Sequence, residues 1–147
     1  MSQPDPTVVG VPFECELHLR WSDQDANGHV NNARVITLLE EARITAYLTW
    51  IGTTPDGERP RVVRSLQAEY HRAMHYGHPL SAKVWISRIG SSSFTVHHEL
   101  HQQGQLCVSG DTGIVQLTAD HSRSDPLHDN LRQALSRALI PAEPPSS

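Results

Sequence analysis

Asp25, Asn27 and His29 stand at two-residue steps in the run Ser22-Asp23-Gln24-Asp25-Ala26-Asn27-Gly28-His29-Val30-Asn31-Asn32. A carboxylate, an amide and an imidazole so close together can act on a polar substrate. The carboxylate can take a proton from water or attack a carbonyl itself. An apolar, helix-like stretch begins directly after them, and a helix N-terminus favours negative charge that develops beside it. No other stretch of the chain gathers as much chemistry.

Two other readings compete for the same residues. Asp23-x-Asp25-x-Asn27-Gly28 opens like an EF-hand calcium loop, with Gly at the sixth place. The twelfth place of such a loop needs a bidentate Glu and here holds Arg34, and the residues before Asp23 alternate like a strand, so calcium is not expected. The plainer reading makes these residues turn and cap formers, with Asn31 or Asn32 capping the first helical amides. It covers Asp23, Gly28 and one Asn and gives no reason for His29. On residue type and spacing alone, the cap and the chemical site both stand. The chain also has ten His residues. His97 and His101 can share a strand face, and His71, His75 and His78 are close in sequence, yet no His-Glu-x-x-His helix or Cys/His spacing accompanies them, so no metal is expected.

The elements that must position these side chains follow from hydrophobic period. Phe13, Cys15, Leu17, Leu19 and Trp21 alternate with polar residues and predict a half-buried strand up to residue 21. From about Val30 to Ile51 the period becomes helical. Val35, Leu39, Ala42, Ala46 and Trp50 share one face, Ile44 and Leu48 lie roughly opposite beside Glu41, and a helix apolar on both sides is expected to be enclosed. Gly52 and Pro55 stop it. After a turn-rich connection at 53–60, four strand-like stretches cover about 61–73, 79–89, 93–103 and 106–118, with Gly77, Gly90 and Gly104 near their junctions. Pro126 to Leu139, with Leu every four residues, predicts a short amphipathic helix. The order predicts an α+β domain, an antiparallel five-stranded sheet wrapped around one long central helix with a short C-terminal helix. One domain is expected over 10–140, between a flexible N-terminus at 1–9 and a flexible tail at 141–147.

Composition narrows the classes. Twelve Lys and Arg residues, scattered in a chain of net charge −4, do not make the basic face that nucleic acid requires. No apolar run approaches a membrane span, and the start Met-Ser-Gln-Pro-Asp-Pro lacks the basic and apolar parts of a signal peptide. Cys15 and Cys107 are far apart and match no metal spacing, which points to a reduced, cytoplasmic setting.

The string from Arg20 to Asn32, followed by Leu39-Glu40-Glu41-Ala42-Arg43, resembles the signature of the hotdog-fold acyl thioesterases, both the 4-hydroxybenzoyl-CoA thioesterase group and the plant acyl-carrier-protein thioesterases. Glu69-Tyr70-His71-Arg72-Ala73-Met74-His75-Tyr76-Gly77 and Arg88-Ile89-Gly90-Ser91-Ser92-Ser93-Phe94 are similar to later segments of that family, in the same order, so the resemblance runs from about residue 12 to 135. It implies the hotdog fold and hydrolysis of a fatty or aromatic acyl thioester of coenzyme A or a carrier protein, without metal or redox cofactor. It assigns Asp25 as general base or nucleophile, Asn27 and His29 as its assistants, and Arg88 and Ser92 as contacts for the pantetheine arm or phosphates. It also implies a homodimer or homotetramer with sites between subunits. Ser91 stands where the family often has a basic residue, which leaves coenzyme A and carrier protein both open. A hydratase or dehydratase on the same fold, or a non-catalytic acyl-thioester binder, are the alternatives. Some members use a helix glutamate, but Glu41 lies about 16 Å along the helix axis from Val30 at ~1.5 Å per residue. A structural ion pair or a dimer contact is the plainer role for it. Ile36, Leu38 and Leu39 are the expected lining of an acyl tunnel.

Overall fold

The computed structural model describes residues 10–52 and 60–141. The expected flexible ends (Pro141 apart) and nearly all of the 53–60 connection lie outside the described residues. The alternating segment forms β1 (Phe13–Leu17), and the helical one α1 (Asn32–Trp50). Then come β2 (Arg61–Tyr70), β3 (Leu80–Ile89), β4 (Ser93–Gln102), β5 (Gln105–Gln116) and α2 (Asp129–Arg137). The strands make one sheet in the order β1-β3-β4-β5-β2, every neighbouring pair antiparallel. The tightest connection joins β4 to β5 through Gln103 and Gly104, whose φ values of 54° and 75° are those of a type I′ hairpin turn.

Period two in the central strands produces two distinct faces. Ala82, Val84 and Ile86 of β3, Phe94, Val96 and Leu100 of β4, and Val108 and Ile114 of β5 are buried. Leu39, Ala42 and Ala46 of α1 are buried completely with them, because α1 lies across β1, β3 and β4. The opposite face is polar and carries Lys83, His97, Glu99, His101 and Asp111. There His97 sits between Asp111, 3.0 Å from Nδ1, and Glu99, 3.2 Å from Nε2, and is stacked on Trp85.

Polar residues interrupt the buried face in two ways that matter. Gln102 accepts the His75 N–H at 2.9 Å and donates to the carbonyls of His75 and His78, which fixes the segment after β2 against the end of β4. His98 is wholly buried; its Nε2 meets the Thr112 hydroxyl at 2.8 Å, and its Nδ1 has no protein partner. Burial, reinforced by the nearby charge of Arg43, pushes the His98 imidazole down to about 4.

Three expectations need correction. β1 ends at Leu17 because the chain then folds into a 3₁₀ turn, Trp21–Asp23, held by the Arg20 N–H and guanidinium donating to the Asp23 carboxylate. Trp21 is consequently 74% exposed, not part of a buried strand face. The helix begins at Asn32, two residues later than expected, since the Val30 N–H is drawn to the Met74 carbonyl at 2.9 Å and the Asn31 side chain caps Ala33. Finally, α1 is not enclosed in this chain: Leu48 is 50% and Ile36 37% exposed. The same side is open along β2, an edge strand with Val63, Leu66 and Tyr70 uncovered. No helix among the described residues is long and apolar enough to cross a membrane.

Candidate active site

The loop between β1 and α1 owes its shape to two aspartates with different tasks. Asp23 is buried at 4% exposure. Burial alone would raise its carboxyl, but hydrogen bonds from Arg20 and the charges of Arg20 and Arg34 outweigh it and hold the group below its ordinary value. Its carbonyl receives the Asn31 N–H at 2.8 Å, so Asp23 ties the loop to the start of the helix. Asp25 is half-buried. One of its oxygens, Oδ1, accepts the N–H groups of Asn27 at 2.8 Å and His29 at 3.2 Å. A β-turn closes beneath it, with the Gly28 N–H on the Asp25 carbonyl and the Asp25 N–H on the His29 carbonyl. Gly28 has φ +77°, a left-handed conformation that a residue with a Cβ adopts only under strain. The loop is thus built to present one carboxylate, orienting it through two main-chain donors.

Asp25, Asn27 and His29 line one cavity of about 360 Å³. Its other walls are Asn32 and Val35 at the start of α1, the stretch Tyr70 to Met74 after β2, and Val108 of β5. The Tyr70 hydroxyl donates to the Asn32 carbonyl at 3.1 Å, which pins the end of β2 to the helix N-terminus. The His29 ring meets His75 edge-on with centroids 5.0 Å apart. Asn27 and His29 touch the Asp25 carboxylate through backbone N–H groups, and both residues line the cavity beside it. The N–H groups of Ala33, Arg34 and Val35 are taken up by Asn31, so what the first turn of α1 adds is the positive end of its dipole. Such an arrangement can activate water, or attack a carbonyl, next to a place that accepts negative charge.

Arg88 and Ser92 do not join this cavity in a single chain. The cavity sits at the end of the sheet where Leu80 faces Gln102, whereas Arg88 lies at the far end of β3 beside a bulge. Eight residues of strand at ~3.3 Å each separate the two ends by roughly 26 Å. Leu38 and Leu39 are packed into the core and Ile36 is exposed; of the helix residues, Asn32 and Val35 reach the cavity wall. Glu41 is exposed and lines a different cavity of about 400 Å³ with His18, Arg20, Asp23, Arg34 and Thr37. It makes no ion pair among the described residues. Nor is any group of three or more His, Cys, Asp or Glu among them arranged to hold a metal ion.

Local sequence pattern does not announce Tyr70, His71 and Arg72 as wall residues of the Asp25 cavity. Their strand is evident from the sequence, but only the pairing of Tyr70 with Val108 brings its end to the loop 45 residues earlier.

Comparison with known proteins agrees with this architecture. The pattern of the Thioesterase-like superfamily matches residues 19–135. The uncharacterized protein YsmA of Bacillus subtilis (strain 168) is 26% identical over 140 residues, which cover 88% of this chain and 95% of that protein. Among solved structures, a predicted thioesterase from Bacillus stearothermophilus superposes with a TM-score of 0.82 at 26% identity, over 90% of this chain and 99% of its own. A thioesterase complexed with coenzyme A and Zn from Thermus thermophilus does so at 0.72 and 27%, over 83% and 90%.

Proposed function

Because this chain belongs to the thioesterase-like superfamily and has its hotdog fold, we propose that it hydrolyses the thioester of an acyl-coenzyme A with Asp25 as the reacting carboxylate. The observation that carries this reading is the Asp25 carboxylate itself, held by two backbone amides at the wall of a cavity that the N-terminus of α1 also lines. The coenzyme A named for the Thermus relative supports that carrier.

Two routes fit the geometry. Asp25 takes a proton from a water, whose oxygen attacks the thioester carbon; the tetrahedral oxyanion collapses and the thiolate leaves and is protonated. Alternatively, Asp25 attacks directly, expels the thiolate and forms an anhydride that water cleaves. In both, charge gathers on the carbonyl oxygen, where the positive end of the α1 dipole is most useful.

We further infer a homodimer joined along β2. This strand is one of the two sheet edges and is open on both faces, an exposure that needs cover. Antiparallel pairing of two such edges sets the Arg61 end of one against the Tyr70 end of the other. The far end of the second sheet, with its Arg88 and Ser92, then falls on the side of the first chain's Asp25. This gives the two residues a route to the coenzyme A moiety that a single chain lacks.

The test is release of free thiol from acyl-CoA esters by the wild-type protein and by Asp25→Asn. Asparagine keeps an oxygen to accept both loop amides, so the loop should hold. Turnover should fall by on the order of a hundredfold or more, with substrate binding largely kept. An undiminished rate in folded Asp25→Asn would remove Asp25 from the chemistry. Formation of an enoyl product from a 3-hydroxyacyl ester without thiol would replace hydrolysis by dehydration, and tight binding of intact ester would leave a binding protein.

A further inference from the structure

We propose that Arg72 makes the Asp25 cavity selective for short acyl groups that themselves carry a carboxylate. The inference rests on the thioester reading and adds to it the class of acyl group. Arg72 lines the same cavity as Asp25. Its backbone is fixed at the end of β2, where the His71 and Arg72 N–H groups both donate to the Cys107 carbonyl, at 2.7 and 3.1 Å. Ion pairs of Lys and Arg among the described residues engage Arg20, Arg34, Arg43 and Lys83, and none engages Arg72. Asp25 lines the same cavity with its Oδ1 turned to two loop amides, and it forms no ion pair with Arg72. Arg72 is therefore a cation at the cavity wall that no carboxylate among the described residues holds in an ion pair.

The rest of the wall favours a polar occupant. Asn27, His29, Asn32, Tyr70 and His71 are polar residues of this wall, the Tyr70 hydroxyl and the His71 Nε2 being already bonded to the Asn32 carbonyl and the Ser109 hydroxyl. A plain alkyl chain would strip water from Asn27, His29 and Asn32 and return no hydrogen bond, a poor exchange. A carboxylate offers the planar, two-pronged acceptor that a guanidinium matches best.

Size decides which anionic group reaches Arg72. At about 360 Å³ the cavity is at the small end for ligand sites, and a compact space of that volume is roughly 7 Å on an edge. In coenzyme A the sulfur and the nearest phosphate are separated by the pantetheine arm, roughly 15 Å when extended at ordinary bond lengths. With the thioester at Asp25, those phosphates lie beyond Arg72. The far end of an acyl group roughly four to six carbons long does not. The occupant is a monothioester of a short dicarboxylic acid.

The experiment compares glutaryl-CoA with pentanoyl-CoA, equal in chain length and different at the terminal carboxylate, and the same two acyl groups on N-acetylcysteamine, which has no phosphate. Wild type should favour glutaryl by on the order of tenfold or more in kcat/KM, mainly through KM, on both carriers. Arg72→Gln should close that gap, and Arg72→Lys should restore part of it. Equal rates on the two acyl groups in wild type, or a gap that survives in Arg72→Gln, would overturn the proposal. So would an Arg72→Gln loss that is the same for both CoA esters and absent on N-acetylcysteamine, since Arg72 would then be reading phosphate. If wild type releases thiol from none of the four, hydrolysis fails separately. Calorimetric binding of the two CoA esters then decides the role of Arg72: tighter binding of glutaryl-CoA that Arg72→Gln abolishes supports selectivity, and equal binding refutes it.

Discussion

The buried His98 exposes a single residue's effect most directly. Its imidazole is pushed down to about 4 in the folded chain, whereas a free histidine titrates near 6.5. Between those values the unfolded chain takes up a proton that the folded chain refuses. Stability is therefore intact above about pH 6.5 and is lost as the pH falls toward 4. The share due to His98 is roughly 2 kcal/mol between pH 7 and pH 5, at about 1.4 kcal/mol per unit. Urea unfolding at the two pH values should show a lower midpoint at pH 5, and His98→Gln should flatten the dependence. Asp23 acts in the same direction at lower pH, because a carboxyl held below its ordinary value loses its contribution as it is protonated. Asp25 has a different standing. Its half-buried carboxylate is oriented by the loop, yet the loop is closed chiefly by backbone bonds.

Among the elements, α1 has the most to do, since its first turn walls the cavity and its length fills the sheet. Asn31 sets where it starts by accepting the Ala33 N–H at 2.8 Å, so Asn31→Ala should cost about 1 kcal/mol, read from thermal or denaturant unfolding. The strands β3, β4 and β5 were legible in the sequence to within a few residues, because each buries one face and leaves the other polar, so period two is written plainly. The end of β1 was not. Leu19 and Trp21 continue the alternation, but the Arg20–Asp23 bonds turn the chain regardless. The start of α1 was blurred by Val30, an apolar residue with helical spacing that instead pairs with Gln24 and Met74. Equally, apolar residues on both sides of α1 could not tell burial by its own sheet from a side left open. The candidate site divides in the same way. Asp25, Asn27 and His29 are local and could be read as a cluster. Tyr70, His71 and Arg72 join them only through the pairing of β2 with β5, which no local pattern reveals.

At the scale of the whole molecule, the sheet sets one cavity at one end and Arg88 and Ser92 at the other, while β2 leaves its edge and the neighbouring side of α1 open. If two copies pair through that edge, each complete site draws Asp25 from one chain and Arg88 from its mate. Defects at the two positions then need not be shared by the same site. Asp25→Asn and Arg88→Ala, each impaired alone, should complement one another after co-expression. Random assortment makes half of the dimers hybrid, and each hybrid rebuilds one intact site of two, so activity should recover to roughly a quarter of wild type. Separately purified mutants mixed without subunit exchange should stay impaired. The separation of two residues along one sheet thus becomes a genetic property: two damaged copies can rescue each other.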